Sequence, residues 1–301
     1  MRWQRLGNIY SPNNLDSTHA AIPLVSNKGN NFIEVIFSSR NPQNKSVGYS
    51  LVFSFDGENF FAENPHRREV LNITKDNFDR DGVNPCKILD NFKEKFLFYT
   101  GWNTEVKNAP FETQMGIAIY DFKKDRFEKR KNPILKIDSV DPVSIGYLDI
   151  FKISDKYIMI YESNLGWLDN NPQNGYQFVF KIANSDDGIN WSKLNKICFP
   201  LGKDEYVFSR PTIIEIQGKF HMWYCYKKNH RYLIGHAESF NGIDWIRCDN
   251  ISGLQPGTDP WENEEVCYPY VFSFNGKIYM LYNGNGYGKT GFGICRLEDL
   301  T

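Results

Sequence analysis

One layout recurs along the chain with a period near sixty residues, and it leaves few folds open. Each copy has an apolar strand, often opening on proline, then a polar turn and a second strand. The copies are Pro23-Leu-Val then Phe32 to Phe37; Pro85 to Leu89 then Phe96 to Tyr99; Leu148 to Ile153 then Tyr157 to Tyr161; Pro211 to Ile216 then Phe220 to Tyr226; and Pro269 to Phe274 then Ile278 to Tyr282. Their anchors at 23, 85, 148, 211 and 269 are 62, 63, 63 and 58 residues apart. A second marker follows the third strand of several copies: SFDGENF at 54–60, SDDGINW at 185–191 and SFNGIDW at 239–245. Asp-Gly or Asn-Gly supplies the left-handed residues of a tight turn, and the aromatic restarts a strand.

Each repeat thus offers an inner, a second, a third and an outer strand, and the fifth lacks its outer one. Arg2-Trp3-Gln4-Arg5-Leu6 has no repeat of its own and is expected to supply that strand and close a ring. The expected fold is all-β: a five-bladed β-propeller of four-stranded antiparallel blades, one domain over 1–301, with inner strands starting near 23, 85, 148, 211 and 269. A sandwich would show turns every 8–12 residues without the longer period. A parallel α/β fold needs amphipathic crossover helices, and only Arg68 to Asn77 hints at one.

Net charge of −1 from 35 basic and 36 acidic residues argues against a polyanion partner, and no nucleic-acid-binding pattern is present. The N-terminus has no apolar signal core and no run is long enough to span a bilayer, so a cytoplasmic chain without membrane contact is expected. Its six cysteines form no C-x-x-C pair; reduced, buried thiols are expected, and neither a metal nor a cofactor. Gly288-Lys289-Thr290 lacks the spacing of a phosphate loop and follows a strand of a meander.

In such a ring the segments leading into the inner strands converge on one end of the axis. They carry Ser17-Thr18-His19, Arg80-Asp81, Asp141, Tyr147 with Asp149, Ser209-Arg210 and Glu264-Glu265 with Tyr268, which is a polar, charged and aromatic set.

The five repeats, the S-x-[DN]-G-x-x-[WF] turns and the segment YNGNGYGKTGFG (Tyr282 to Gly293) resemble the five-bladed β-propeller glycosidase-like proteins over nearly the whole chain. That group includes glycoside hydrolase families 43, 32 and 130 and relatives of surface-polysaccharide gene clusters. The resemblance implies a carbohydrate-active enzyme that cleaves a glycosidic or glycosyl-phosphate bond by carboxylate acid/base chemistry, with a carbohydrate or nucleotide-sugar ligand. A non-catalytic sugar-binding propeller and a transferase or phosphorylase with an Arg-lined anion site stay open. Families 43 and 32 carry an aspartate on the first inner strand, where this chain has His19, and the Arg-Asp-Pro of family 32 is absent. The acidic set must therefore differ.

Glycoside hydrolysis needs two carboxyls about 5–9.5 Å apart, one of them protonated. Glu264 is the expected acid, with Glu265 second because adjacent strand residues point opposite ways. Asp81 and Asp149 are the expected base and its partner. Arg210 and Arg40 offer forks for an anion or sugar hydroxyls. His19 offers a base or donor, and Trp102, Tyr147 and Tyr268 offer rings for stacking. Asn285 and Lys289 are expected at the rim.

Overall fold

The computed structural model describes residues 1–12, 17–63, 66–90, 94–106, 109–168 and 175–299, and their regular structure is almost entirely antiparallel strand. Strand β1 (Arg2–Tyr10) comes first. A meander of β2 (His19–Lys28), β3 (Phe32–Arg40) and β4 (Ser46–Phe55) follows, with β5 (Phe60–Ala62) and β6 (Arg68–Leu71) both on the outer edge of β4. Three more meanders contain β7 (Gly82–Asp90) to β10 (Arg126–Lys129) through β8 (Lys95–Asn103) and β9 (Glu112–Asp121); β11 (Ile145–Ile153), β12 (Lys156–Trp167), β13 (Tyr176–Ser185) and β14 (Ser192–Ile197); and β15 (Glu205–Ile216), β16 (Lys219–Lys228), β17 (Arg231–Ser239) and β18 (Ile246–Arg247). The last has β19 (Cys267–Phe274), β20 (Lys277–Asn283) and β21 (Phe292–Asp299), and β1 completes it by pairing antiparallel with β21. Short helical turns, α1 (Asp249–Ser252) and α2 (Asn285–Gly288), fill connections. The N-terminal strand therefore takes the position expected of it.

Single parallel bridges, Ser46 to Gly82 and Phe178 to Val207, join the first meander to the second and the third to the fourth. Inner strands β2, β7, β11, β15 and β19 each pack on the next, and β19 packs back on β2. Apolar layers lie between adjacent sheets; one, built on Phe37, Phe53, Phe272, Tyr279 and Phe292, joins the last sheet to the first. The result is a propeller-like fold in which no sheet closes on itself as a barrel.

The Asp-Gly turns work as their sequence demands. Asp56, Asp187 and Asn241 each accept two backbone N–H groups through one side-chain oxygen, and Ser185 and Ser239 cap the following glycines. Gly242 has φ 68°, and a Cβ there would collide with Phe151 and Ile153 of the preceding sheet, so only glycine fits.

Every inner strand also carries a register shift at the same level: between Ala21 and Leu24, Pro85 and Lys87, Ile145 and Leu148, Ser209 and Thr212, and Cys267 and Tyr270. Three of these bulges hold a non-glycine residue in the left-handed region: Ile22 (φ 59°), Arg210 (φ 53°) and Tyr268 (φ 52°). That conformation costs on the order of 1–3 kcal/mol and persists where surroundings enforce it. Here the enforcing group comes from the preceding sheet's second strand. Asn283 Oδ1 accepts from Ile22 N (2.8 Å), Glu162 Oε1 from Arg210 N (2.9 Å) and Cys225 Sγ from Tyr268 N (3.5 Å).

An acid, buried in three cases and half-buried at Asp249, recurs behind four second strands. Tyr99, Tyr161, Tyr224 and Tyr282 donate their hydroxyls to Asp79, Asp141, Asp249 and Glu262, and a Lys or Arg completes each set. Asp141, fully buried, also accepts from Ser163 (2.5 Å) and pairs with Lys181 (3.0 Å) and Lys193 (2.7 Å). Asp141→Ala leaves buried Lys181 with the Val140 carbonyl but no carboxylate, while Lys193 keeps Asp138, and it is expected to destabilise the fold by about 3–5 kcal/mol. A denaturant midpoint within error of the wild type would refute this.

Candidate functional site

At one end of the ring a cavity of about 440 Å³ opens, lined by residues of all five meanders. Behind the lining, next to Glu162 and Ser209, a plug of charge crosses the inner strands. Arg210 is fully buried; its guanidinium donates to Cys86 O (2.7 Å) and Pro23 O (3.5 Å) and lies 5.7 Å from the Tyr270 ring. Beside it Lys87 pairs with Asp149 at 2.6 Å, and Asp149 also accepts from Ile213 N (2.5 Å) and Ile150 N (2.7 Å).

Among the described residues Glu162 is the only carboxylate in the lining. It follows Tyr161 on β12, at the position held by Ser38, Thr100, Cys225 and Asn283 in the other meanders. A Cβ on Gly146 would collide with its carboxylate, so that glycine makes room for it. Burial pushes its pKa up to about 8, and contacts that favour the anion only partly oppose this: the Ser209 side chain, the Arg210 and Tyr147 backbone, and the Arg210 charge. Glu162 is thus a neutral, proton-bearing acid at neutral pH.

Two cations complete the polar lining. Arg40, at the end of β3, lies 5.5 Å from the Trp102 ring and donates to Asn44 Oδ1 (3.2 Å). Lys227, on β16, sits 5.2 Å from the Tyr232 ring and 5.7 Å from that of Tyr287. Among the described residues no carboxylate pairs with either. Tyr147, Tyr268, Tyr232 and Tyr287 form a chain of ring contacts, with successive centroids 5.7, 6.1 and 5.6 Å apart. Phe111, Tyr176 and Phe178 form another, at 5.2 and 5.0 Å. Asn84 Nδ2 donates to the Tyr147 hydroxyl at 3.0 Å.

Of the residues expected from sequence, Arg40, Trp102, Tyr147 and Tyr268 line this cavity together, and the others lie elsewhere. Glu264 is exposed, because β19 begins only at Cys267 and the two glutamates belong to its approach. Glu265 accepts from Tyr287 N (3.1 Å) and steadies α2. Asp81 holds Thr104 through its N–H (2.7 Å) and hydroxyl (2.8 Å) and pairs with Lys45. Asp149 and Arg210 belong to the charged plug behind the lining. His19, contacting Thr18 Oγ1 at 2.8 Å, is held neutral with a pKa lowered to about 4 by burial, then by Arg40 and Lys289. Asn285 is spent on Pro260, Asn263 and the N–H groups of Glu264 and Glu265, and Lys289 is exposed.

Sequence reasoning missed Glu162 and Lys227. The available signal was the acid after Tyr161, where the other repeats place small neutral residues.

No family model matches the chain. Among solved structures it is similar to a glycoside hydrolase (TM-score 0.76, 15% identity, 98% of this chain and 92% of that one). A second was reported with the statement that the GH130 family of mannoside phosphorylases contains glycoside hydrolases that target beta-1,2 mannosidic linkages in Candida mannan (TM-score 0.73, 14% identity, 100% and 94%). A third is the Bombyx mori GH32 beta-fructofuranosidase BmSUC1 (TM-score 0.66, 15% identity, 98% and 62%). These likenesses establish a glycoside hydrolase-like propeller fold. In sequence, the uncharacterized protein Rv1502 and the uncharacterized protein MT1551 of Mycobacterium tuberculosis (strains ATCC 25618 / H37Rv and CDC 1551 / Oshkosh) are each 31% identical to it over 304 residues, 99% of this chain and 100% of theirs. The chain belongs to the family of these two mycobacterial proteins.

Proposed function

We propose that the protein is a carbohydrate-active enzyme that splits a glycosidic bond by phosphorolysis, with Glu162 as the acid and phosphate held by Arg40 and Lys227. The carrying observation is one buried carboxyl, neutral up to about pH 8, in an aromatic cavity with two cations that no described carboxylate pairs. Hydrolysis uses two carboxyls, one of them to activate water or attack the sugar. A phosphate oxygen is already anionic and needs no base. It attacks the anomeric carbon, the bond from that carbon to the leaving oxygen breaks, and the Glu162 proton moves to that oxygen. The products are a glycosyl phosphate and an alcohol, and Glu162 recovers its proton from solvent. The tyrosine chain offers the apolar faces on which a sugar ring stacks. Likeness of fold to glycoside hydrolases is consistent with this and adds nothing about the substrate. The same reading takes the meanders as five blades of one domain, 1–301, supported by the cycle of inner strands.

A panel of glycosides with and without inorganic phosphate tests this, with sugar phosphate and free reducing sugar quantified separately. Phosphate-dependent sugar phosphate is the expected product. Free sugar released equally without phosphate would make the enzyme a hydrolase. Arg40→Ala is expected to raise KM for phosphate at least roughly tenfold, the value of one charge-assisted hydrogen bond.

A further inference from the structure

Outside the cavity, the pairing of β16 with β17 gathers three metal-ligating side chains. His221 lies opposite Glu238 and Trp223 opposite His236, so all four share one face of the ribbon. His221 Nδ1 is 3.1 Å from His236 Nε2 and 3.7 Å from Glu238 Oε1, and all three atoms lie within 4.8 Å of one another. Two imidazole nitrogens bound to one zinc ion at about 2.0–2.1 Å stand roughly 3–3.4 Å apart. The observed 3.1 Å, which without an ion is a ring-to-ring hydrogen bond, falls in that range. Glu238 is only partly buried, and its side-chain torsions allow the remaining approach.

The surrounding groups orient two of the three ligands. His236 Nδ1 meets Cys248 Sγ at 3.2 Å, which leaves Nε2 facing the centre. Lys219 Nζ takes Glu238 Oε2 at 2.8 Å, which leaves Oε1 facing His221. Partners on the far atom of each ligand are the usual means of fixing a tautomer and a carboxylate orientation at a metal. Both imidazoles are buried, and burial first of all lowers their pKa, His236 to about 3, which keeps them in the neutral form that binds metal.

We propose that His221, His236 and Glu238 form a binding site for a divalent transition-metal ion of the zinc class. Two imidazole nitrogens and one carboxylate oxygen suit such an ion, and water takes the fourth position. The ion cross-links β16 to β17 at their outer half, beside the Trp223 ring that packs on Trp3 of β1.

The test is a titration of chelator-treated full-length protein with zinc chloride, followed by calorimetry and by thermal unfolding. One equivalent bound with submicromolar Kd and a rise in Tm are expected, and Co²⁺ in place of Zn²⁺ should give visible absorption. Glu238→Gln, at a partly exposed position, should weaken Zn²⁺ binding by roughly 10–100-fold, and His221→Gln should abolish the stoichiometric site. Absence of one-to-one binding by the wild type overturns the proposal. So does an unchanged Kd in Glu238→Gln, which remains decisive if His221→Gln fails to fold.

Discussion

Glu162→Gln should give a folded protein whose kcat falls by about 10²–10⁴-fold, the usual contribution of a positioned general acid. Gln keeps the size of the side chain and can still accept from Arg210 N, so the bulge at Arg210 stays braced. In the wild type the acid form is the active one, and kcat/KM should be flat below about pH 8 and fall as pH rises through it. Stability follows the same proton. Because the folded pKa lies above the ordinary carboxyl value of 4.5, the folded state holds a proton that the unfolded chain has lost between those values. Wild-type stability therefore declines as pH rises through that window, by up to about 1.4 kcal/mol per pH unit, and Gln is exempt. The variant should melt above the wild type at pH 9, with the difference gone below pH 4. Retained turnover in Glu162→Gln, or a pH profile flat through pH 9, would remove Glu162 from the acid role.

The repeat was legible because its signals are local: proline anchors and Asp-Gly turns need only neighbours in sequence. Strand β1 was legible by subtraction, being a strand pattern without a repeat while the last repeat lacked one. The expected acids lie outside the cavity for two physical reasons. The inner-strand bulges set which residues face the cavity, and a register shift leaves no mark on an apolar strand pattern. The approach segments' carboxylates are also largely consumed by the fold: Asp141 and Glu262 receive tyrosine hydroxyls from twenty residues downstream, and Asp81 holds Thr104. Arg40 and Trp102 were legible because they end second strands on the cavity side. Lys227 occupies the same position in its own repeat, inside the run Tyr226-Lys227-Lys228, where nothing separates it from a solvated strand end. Arg210 read as a ligand contact because a charge beside an inner-strand proline is unusual. Its use is instead to tie β15 to Pro23 of β2 and Cys86 of β7 behind the cavity lining.

Deleting residues 1–10 is expected to remove cooperative folding at 37 °C. Strand β1 is the outer strand of the last sheet, and without it β21 presents an open edge of unpaired backbone groups. Trp3, buried against Trp223 with centroids 5.5 Å apart, leaves a void that alone costs about 3–5 kcal/mol. Arg5 is the cation for fully buried Glu262 (3.1 Å), and its loss leaves that carboxylate with the Tyr282 hydroxyl alone among its described partners. Tyr10 packs on Phe37 of the first meander and Phe292 of the last, 5.0 and 5.5 Å between centroids, so its loss opens the junction where chain start and chain end meet. Together these losses exceed the net stability of an ordinary domain. A synthetic peptide of residues 1–10 added in trans should restore a cooperative melt, since its partner groups remain on β21 and in the apolar layers beside it. Arg2→Ala is the control: its partner Glu298 is at the surface, and the change should stay within about 0.5 kcal/mol. If the truncated chain melts cooperatively within a few degrees of full length, closure of the ring by β1 contributes little to the fold.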